Sequence, residues 1–141
     1  MFVPTGIALL NSWSSGTLLN SSGSGFAQFK SVVTKIKIGA GASGLDTRVF
    51  KDFTSLSAVM LGDSLQTIDS NCFYGCTSLT FFALPSGITN LSSQIFYGDT
   101  NLKSIYYKGT IYTSRSALES ALSANGVTYS SNSFDNTGLE P

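Results

Sequence analysis

The sequence predicts a short α/β solenoid: stacked coils with a parallel sheet on one face, short helical turns on the other, and a C-terminal capping helix. Three observations predict it. Three 23-residue stretches, Asp46–Ile68, Asp69–Leu91 and Ser92–Ser114, align without gaps, and a fixed period of this length marks a repeat architecture. Each stretch ends on a short alternation of strand type. The composition also fits a chain with a real core and little charge. Hydrophobic residues make up 42% and charged residues 11%, while Ser, Thr and Gly together supply 52 of 141 residues. At this length one domain is expected.

The matched columns carry the alignment. Phe50, Phe73 and Phe96 coincide, as do Thr54, Thr77 and Thr100, and Leu56, Leu79 and Leu102. Val59, Phe82 and Ile105 form another column, Leu61, Leu84 and Tyr107 the next, and Leu65, Ile88 and Ile111 the last. The Phe-led segment, such as Asn71–Thr77, reads as a helical turn, since Cys72, Phe73 and Cys76 share one face at spacings of one, three and four. The triplet Val59-Met60-Leu61 reads as a short strand with two side chains in and one out. A coil this small cannot bury its own apolar side, so the core forms between neighbouring coils.

A degenerate unit precedes the regular ones. Phe26 and Phe29 sit 24 residues before Phe50 and Phe53, while Val33, Ile36 and Ile38 sit 23 before Leu56, Val59 and Leu61. One residue has slipped between the two groups. A Gly-rich insert, Gly39–Gly44, is expected to separate this unit from the next.

Written as Ala/Cys-Phe-x-x-Cys-x-x-Leu-x-x-Ile/Phe-x-Leu-Pro, the stretch Cys72–Pro85 resembles the BspA-type leucine-rich repeat. The resemblance covers roughly residues 24–114. The first regular repeat departs from it at Phe53, where the family favours Cys, and at Gly62, where it favours Pro. The last has Asp99 and Lys108 in those columns. The resemblance implies a short leucine-rich-repeat stack, a non-enzymatic protein, and a role in adhesion or protein–protein interaction. Proteins of this kind occur on bacterial and protist surfaces and in some phages.

The ends of a solenoid need capping, because an open end exposes core and strand edges. At the C-terminus, Ser116 and Glu119 are spaced as a capping box, with Ala117, Leu118, Ala121 and Leu122 on one helical face. Asn125-Gly126 ends that helix and Val127–Tyr129 can add a strand. Ser130–Pro141 is turn-rich and is expected to be an extended tail. At the N-terminus, Phe2, Ile7, Leu10 and Trp13 stand among Ser and Gly. They either fold back over the first coil or dock on another chain. The expected division is therefore 1–25 as N-terminal arm or cap, 26–114 as solenoid with one degenerate and three regular repeats, and 115–141 as C-terminal cap and tail.

Composition also excludes function classes. Eight basic and eight acidic residues give a formal charge of zero, against the basic stripe that nucleic acid requires. No apolar run approaches the roughly 18 residues of a membrane helix. The absence of His removes His-based triads and the commonest general base. Cys72 and Cys76 read as buried small hydrophobes, with a local disulfide as the alternative. The glycine run lacks the residues of a phosphate loop. Asp63 with Asp69 has no pocket signature, and the shared column of Asp46 and Asp69 reads as solvated loop carboxylates before a weak calcium site. Tyr74 and Tyr97, also 23 apart, are expected to stack. No cofactor and no metal are expected. Asn20-Ser21-Ser22 and Asn90-Leu91-Ser92 match the glycosylation pattern, a match that a Ser-rich chain produces by chance.

If Val59 and Leu61 point inward, their neighbours point outward. Projected across the coils, this exposes Lys35 and Lys37, then Ala58 and Met60, Phe81 and Ala83, and Ser104 and Tyr106. Large apolar groups flanked by Lys on an exposed sheet face mark an interaction patch, with Met60, Phe81 and Tyr106 at its centre. The alternative is that a terminal segment covers them. The partner is then a protein or another copy of the chain, in a homo-oligomer or larger assembly, without nucleic acid and without membrane insertion. The N-terminal sequence lacks the basic segment of a secretory signal. A chain opening at Met with only a few coils favours an extracellular or virion (phage-like) component over the alternative, a fragment of a bacterial or protist adhesin that binds a host protein.

Overall fold

The Phe column is the axis on which the chain is built. Phe50, Phe73 and Phe96 stack in file, with ring centroids 5.5 and 6.0 Å apart and ring planes within 23° and 9° of parallel. Phe82 closes the stack from the side, meeting Phe73 at 5.0 Å and Phe96 at 4.7 Å, edge to face in both cases. Such rings bury much apolar area each and gain further from ring–ring geometry. This computed structural model describes residues 7–10, 17–18, 30–39 and 41–141.

Each coil contributes two strands. On one side run β1 (Ile7–Leu10), β3 (Lys35–Ile38), β5 (Ala58–Met60), β7 (Phe81–Ala83) and β9 (Ser104–Tyr107). On the other run the two-residue strands β2 (Thr17–Leu18), β4 (Gly44–Leu45), β6 (Thr67–Ile68), β8 (Asn90–Leu91) and β11 (Thr128–Tyr129). This second set forms a five-stranded parallel sheet in the order β11-β8-β6-β4-β2. The repeat columns do not announce it, because its strands are too short to alternate visibly. Leu45, Ile68 and Leu91 are its buried row.

Between the two sheets each coil crosses through a Phe-led turn. Phe50 N–H donates to the Cys72 carbonyl at 2.9 Å, and Phe73 N–H to the Ile95 carbonyl at 3.0 Å. Two residues per turn take left-handed backbone at equivalent positions: Arg48, Asn71 and Gln94 at one, and Asp52, Gly75 and Gly98 at the other. The repeat is therefore a repeat of backbone dihedrals as well as of side chains.

The register holds at 23 residues through the degenerate unit. Ile36 pairs opposite Val59 and Leu45 opposite Ile68. Ala42 is buried, as Leu65 is one coil on. Gly39–Gly44 is accordingly not an insert, and Gly44 sits in β4 opposite Thr67. The slip read from Phe26 and Phe29 lies outside the described residues, as do Phe2 and Trp13. Ile7 and Leu10 lie in β1, whose backbone pairs in parallel with β3, Ile7 opposite Lys35 and Leu10 opposite Ile38.

Past Tyr107 the period breaks. Lys108 and Gly109, with φ of 45° and 88°, make a two-residue hairpin turn of the kind that needs positive φ at both positions. The chain returns as β10 (Thr110–Tyr112), antiparallel to β9, with Ile111 opposite Tyr106. Ile111 is therefore 60% exposed and does not continue the buried column of Leu65 and Ile88. The sequence signal for this was Lys-Gly between two alternating stretches.

The capping helix α1 spans Arg115–Ala124 and buries Leu118 and Leu122. Its N-cap is Ser114, whose hydroxyl accepts from Ala117 N–H, so the start lies two residues before the predicted Ser116. Glu119 is consequently not a capping-box partner. It pairs with Arg115 at 2.9 Å, and Arg115 also reaches Asp135 at 2.6 Å and the Ser131 carbonyl.

Ser130–Pro141 folds as a further turn of the stack rather than as an extended run. Phe134 stacks on Phe96 at 5.8 Å and 13°. The Ser133 carbonyl accepts from Phe96 N–H, and Asn136 takes the left-handed conformation of Gly98. Residues here match those 38 earlier, because β10 and α1 insert 15 residues into the coil. The sequence shows this once it is looked for: Ser92-Ser93-Gln94-Ile95-Phe96 returns as Ser130-Ser131-Asn132-Ser133-Phe134.

Candidate interaction surface

The side chains that point out of the first set of strands form one face. Lys35 and Lys37 are exposed on β3, and Lys37 lies opposite Met60 in the ladder. Met60 is 63% exposed, Phe81 42% and Tyr106 39%. Ser104 is half-buried beside them. The six residues expected on the outward face thus stand on β3, β5, β7 and β9 in the expected order. Ile111 extends the face over β10. Among the described residues, no other segment covers Met60, Phe81 or Ile111.

The face is not a continuous sheet. Hydrogen-bonded pairing joins β1, β3 and β5, and separately β7, β9 and β10. Two equivalent bonds show the break. Ser57 N–H donates to the Thr34 carbonyl at 2.8 Å and Lys103 N–H to the Thr80 carbonyl at 3.1 Å, but the corresponding bond from Thr80 to Ser57 is not made. Leu84 N–H reaches the Tyr106 carbonyl at 2.9 Å, while Leu61 has no such bond to Ala83. Val59 faces the column of Phe82, whose ring is held by Phe73 and Phe96.

A groove of about 450 Å³ occupies the break. Val59, Leu61, Phe81, Leu84, Pro85 and Tyr106 make its apolar walls, with Asp63 and Lys108 at the rim. Val59 and Leu61 were expected to be core. They are only half-buried, packed against the core on one side and open to the groove on the other. The sequence held no signal for the groove beyond Gly62 standing where the next coil has Pro85.

Charge divides unevenly around this face. The outward strand β3 carries Lys35 and Lys37, Lys103 is exposed just before β9, and Lys108 lines the groove with Asp63. Seven of the eight acidic residues lie elsewhere. A chain of zero formal charge therefore presents a basic face. Lys108 donates to Asn125 at 3.0 Å and lies over the Tyr107 ring, so its ammonium is anchored at the groove's far rim.

The remaining candidates have structural partners. Tyr74 and Tyr97 stack at 5.2 Å with Lys51 over Tyr74. Asp69 accepts from Ser92 and Asp46 from Thr47 N–H, and among the described residues no three acidic or thiol groups cluster as metal ligands do. Cys72 and Cys76 are free and buried. Burial pushes both thiols up, away from the reactive thiolate. Asp99 is fully buried in the column of Phe53 and Cys76. It accepts from Cys76 N–H at 2.7 Å, its other oxygen has no partner, and burial raises its pKa to about 9.

A stack of short coils with a strand-lined outer face defines an interaction scaffold of the leucine-rich-repeat class. The profile for the BspA type leucine rich repeat region matches residues 23–140, and the chain belongs to that family. The match runs beyond Ser114 to the last coil, as Phe134 requires. Proteins of this family are typically surface or secreted, and their fold is typically a non-enzymatic scaffold for protein–protein interaction. No curated protein and no solved structure matches the chain. No helix among the described residues is long and apolar enough to cross a membrane.

Proposed function

We propose that this protein is a non-enzymatic binding module of an extracellular or virion assembly, and that it engages a protein partner, or copies of itself, through the outward face of β3, β5, β7 and β9. The observation that carries this is the exposure of Met60, Phe81 and Tyr106 side by side, with Lys35 and Lys37 at the edge. Large apolar groups are costly to leave in water together, and aromatic and Met side chains are favoured at interface centres. Ile7 and Leu10, with Phe2 and Trp13, form the second contact of the proposal, where the N-terminal segment meets a neighbour in the assembly. Weak calcium binding and catalysis have no part in this reading.

The test places a photo-crosslinking amino acid at position 60 or 81 in the producing cells or particles and identifies the products by mass spectrometry. A protein cross-linked from both positions supports the reading. The Phe81→Ser variant should retain its unfolding midpoint and lose the partner. If neither position yields a cross-linked protein, or if Phe81→Ser unfolds because the ring is needed within the chain, the face is not an interface.

A further inference from the structure

The break between β5 and β7 is a feature of this chain's own residues, and it leaves a groove that leads from the outer face to the core. The geometry points to a specific occupant: one apolar side chain of an extended acidic segment of the partner, seated between Val59, Leu61 and Leu84, with its flanking carboxylates over Lys35 and Lys37. This rests on the outward face being the interface and adds what that face selects.

Three observations lead there. The groove's walls are apolar from two layers at once. Phe81 and Tyr106 come from the outer face, while Val59, Leu61 and Leu84 come from the inner row. A side chain entering it gains contact on both sides, which a flat sheet face cannot offer. The opening is also limited in width. Residues of β5 and β7 still approach within 8 Å between Cα atoms, whereas an inserted strand would need two strand spacings, roughly 9.5 Å. The groove therefore takes a side chain and not a backbone. Finally, Lys35, Lys37, Lys103 and Lys108 stand around it against one carboxylate, Asp63. Asp63 is the only acidic residue lining the groove, and Lys37 stands one strand from Met60 at its mouth. That imbalance attracts an acidic segment and disfavours a basic one.

The test measures fluorescence anisotropy of a labelled nine-residue peptide, Ser-Glu-Asp-Glu-Leu-Glu-Asp-Glu-Ser, with the full-length protein. Saturable binding is expected, weakening at least 10-fold when the central Leu is replaced by Ser and at least 10-fold on the protein variant Val59→Glu. The double variant Lys35→Glu/Lys37→Glu should weaken it similarly and flatten the salt dependence. Because Val59→Glu can disturb folding, the Leu-to-Ser peptide on the unaltered protein is the arm that decides. Equal binding of the two peptides, or no saturable binding of either, overturns the inference. So does a preference for a twelve-residue single-stranded DNA or for phosphatidylserine vesicles that ignores Val59→Glu, since that makes the face a general anion surface. Cross-links from position 81 alongside a peptide that ignores its own Leu sink the groove and leave the interface standing. The absence of cross-links sinks both.

Discussion

Asp99 should make the protein less stable as pH rises, and Asp99→Asn should remove that loss. The carboxyl group is fully buried among apolar neighbours and has one oxygen without a partner. Its other oxygen accepts backbone N–H bonds, which lower its pKa, but burial outweighs them and raises it from 3.8 to about 9. The folded state therefore keeps a proton that the unfolded chain gives up above pH 4. Stability from this group is fully present below the unfolded value and is lost as pH climbs toward 9, beyond which the slope vanishes. At 1.36 kcal/mol per unit, the span from 3.8 to 7 is worth roughly 4 kcal/mol, comparable with the whole stability of a small domain. Asn resembles the protonated carboxyl in shape and carries no charge. The variant should be equal to the wild type or up to about 2 kcal/mol less stable near pH 4, the lower figure allowing for an amide N–H that lacks an acceptor, and should exceed it by about 2–4 kcal/mol at pH 7. Urea unfolding at pH 5, 7 and 9 reads this directly. A wild-type midpoint that stays flat from pH 5 to 9, or an Asn variant that follows the same slope, refutes the argument.

Other expectations concern single rows of the stack. Phe134→Ala should cost about 3–5 kcal/mol in urea unfolding, where an extended tail would lose almost nothing. Gly75→Ala should cost about 1–3 kcal/mol, because φ is 74° and the added Cβ would lie 2.5 Å from Asp52 Oδ1; the thermal midpoint would show it. Ser114→Ala should cost about 1 kcal/mol by losing the N-cap of α1, while Ser116→Ala should be near neutral, and comparing the two melts places the helix start.

The columns of Phe50, Leu56 and Leu65 made the stacking legible, since one apolar residue per coil at constant spacing is what coils stacked in register require. What they could not show was any feature built from unlike neighbours. The groove lies where the ladder between β5 and β7 is not made, and a column alignment treats the residues on its two sides simply as apolar. The basic face was half legible: Lys35 and Lys37 were placed on it, but Lys108 and Asp63 come to the groove only through the fold. Ile111 was misplaced because the 23-residue count was carried through Lys108-Gly109, where the backbone reverses. The last coil was missed for the converse reason, a continuing repeat hidden by 15 inserted residues. Ser116 read as the cap because Glu119 completes a capping box with it. In the fold, Arg115 draws Glu119 toward Asp135 instead, and the chain end at Glu140 and Pro141 bonds Ser114.

The three irregularities of this stack share one cause. In a solenoid each coil touches only its neighbours, so a departure in one row changes one junction and leaves the rest in register. The ladder is not made between β5 and β7, yet β6 and β8 still pair on the opposite side, Ile68 facing Leu91. Lys108-Gly109 turns a strand back, yet Phe134 recovers the ring stack one coil later. Asp99 replaces a buried apolar residue, yet the bond to Cys76 N–H keeps the turn aligned across the coils. Each departure lowers local stability without unravelling the array. That tolerance is what lets a chain of so few coils keep an open groove on its outward face, because the ring column supplies the cohesion that the broken ladder does not.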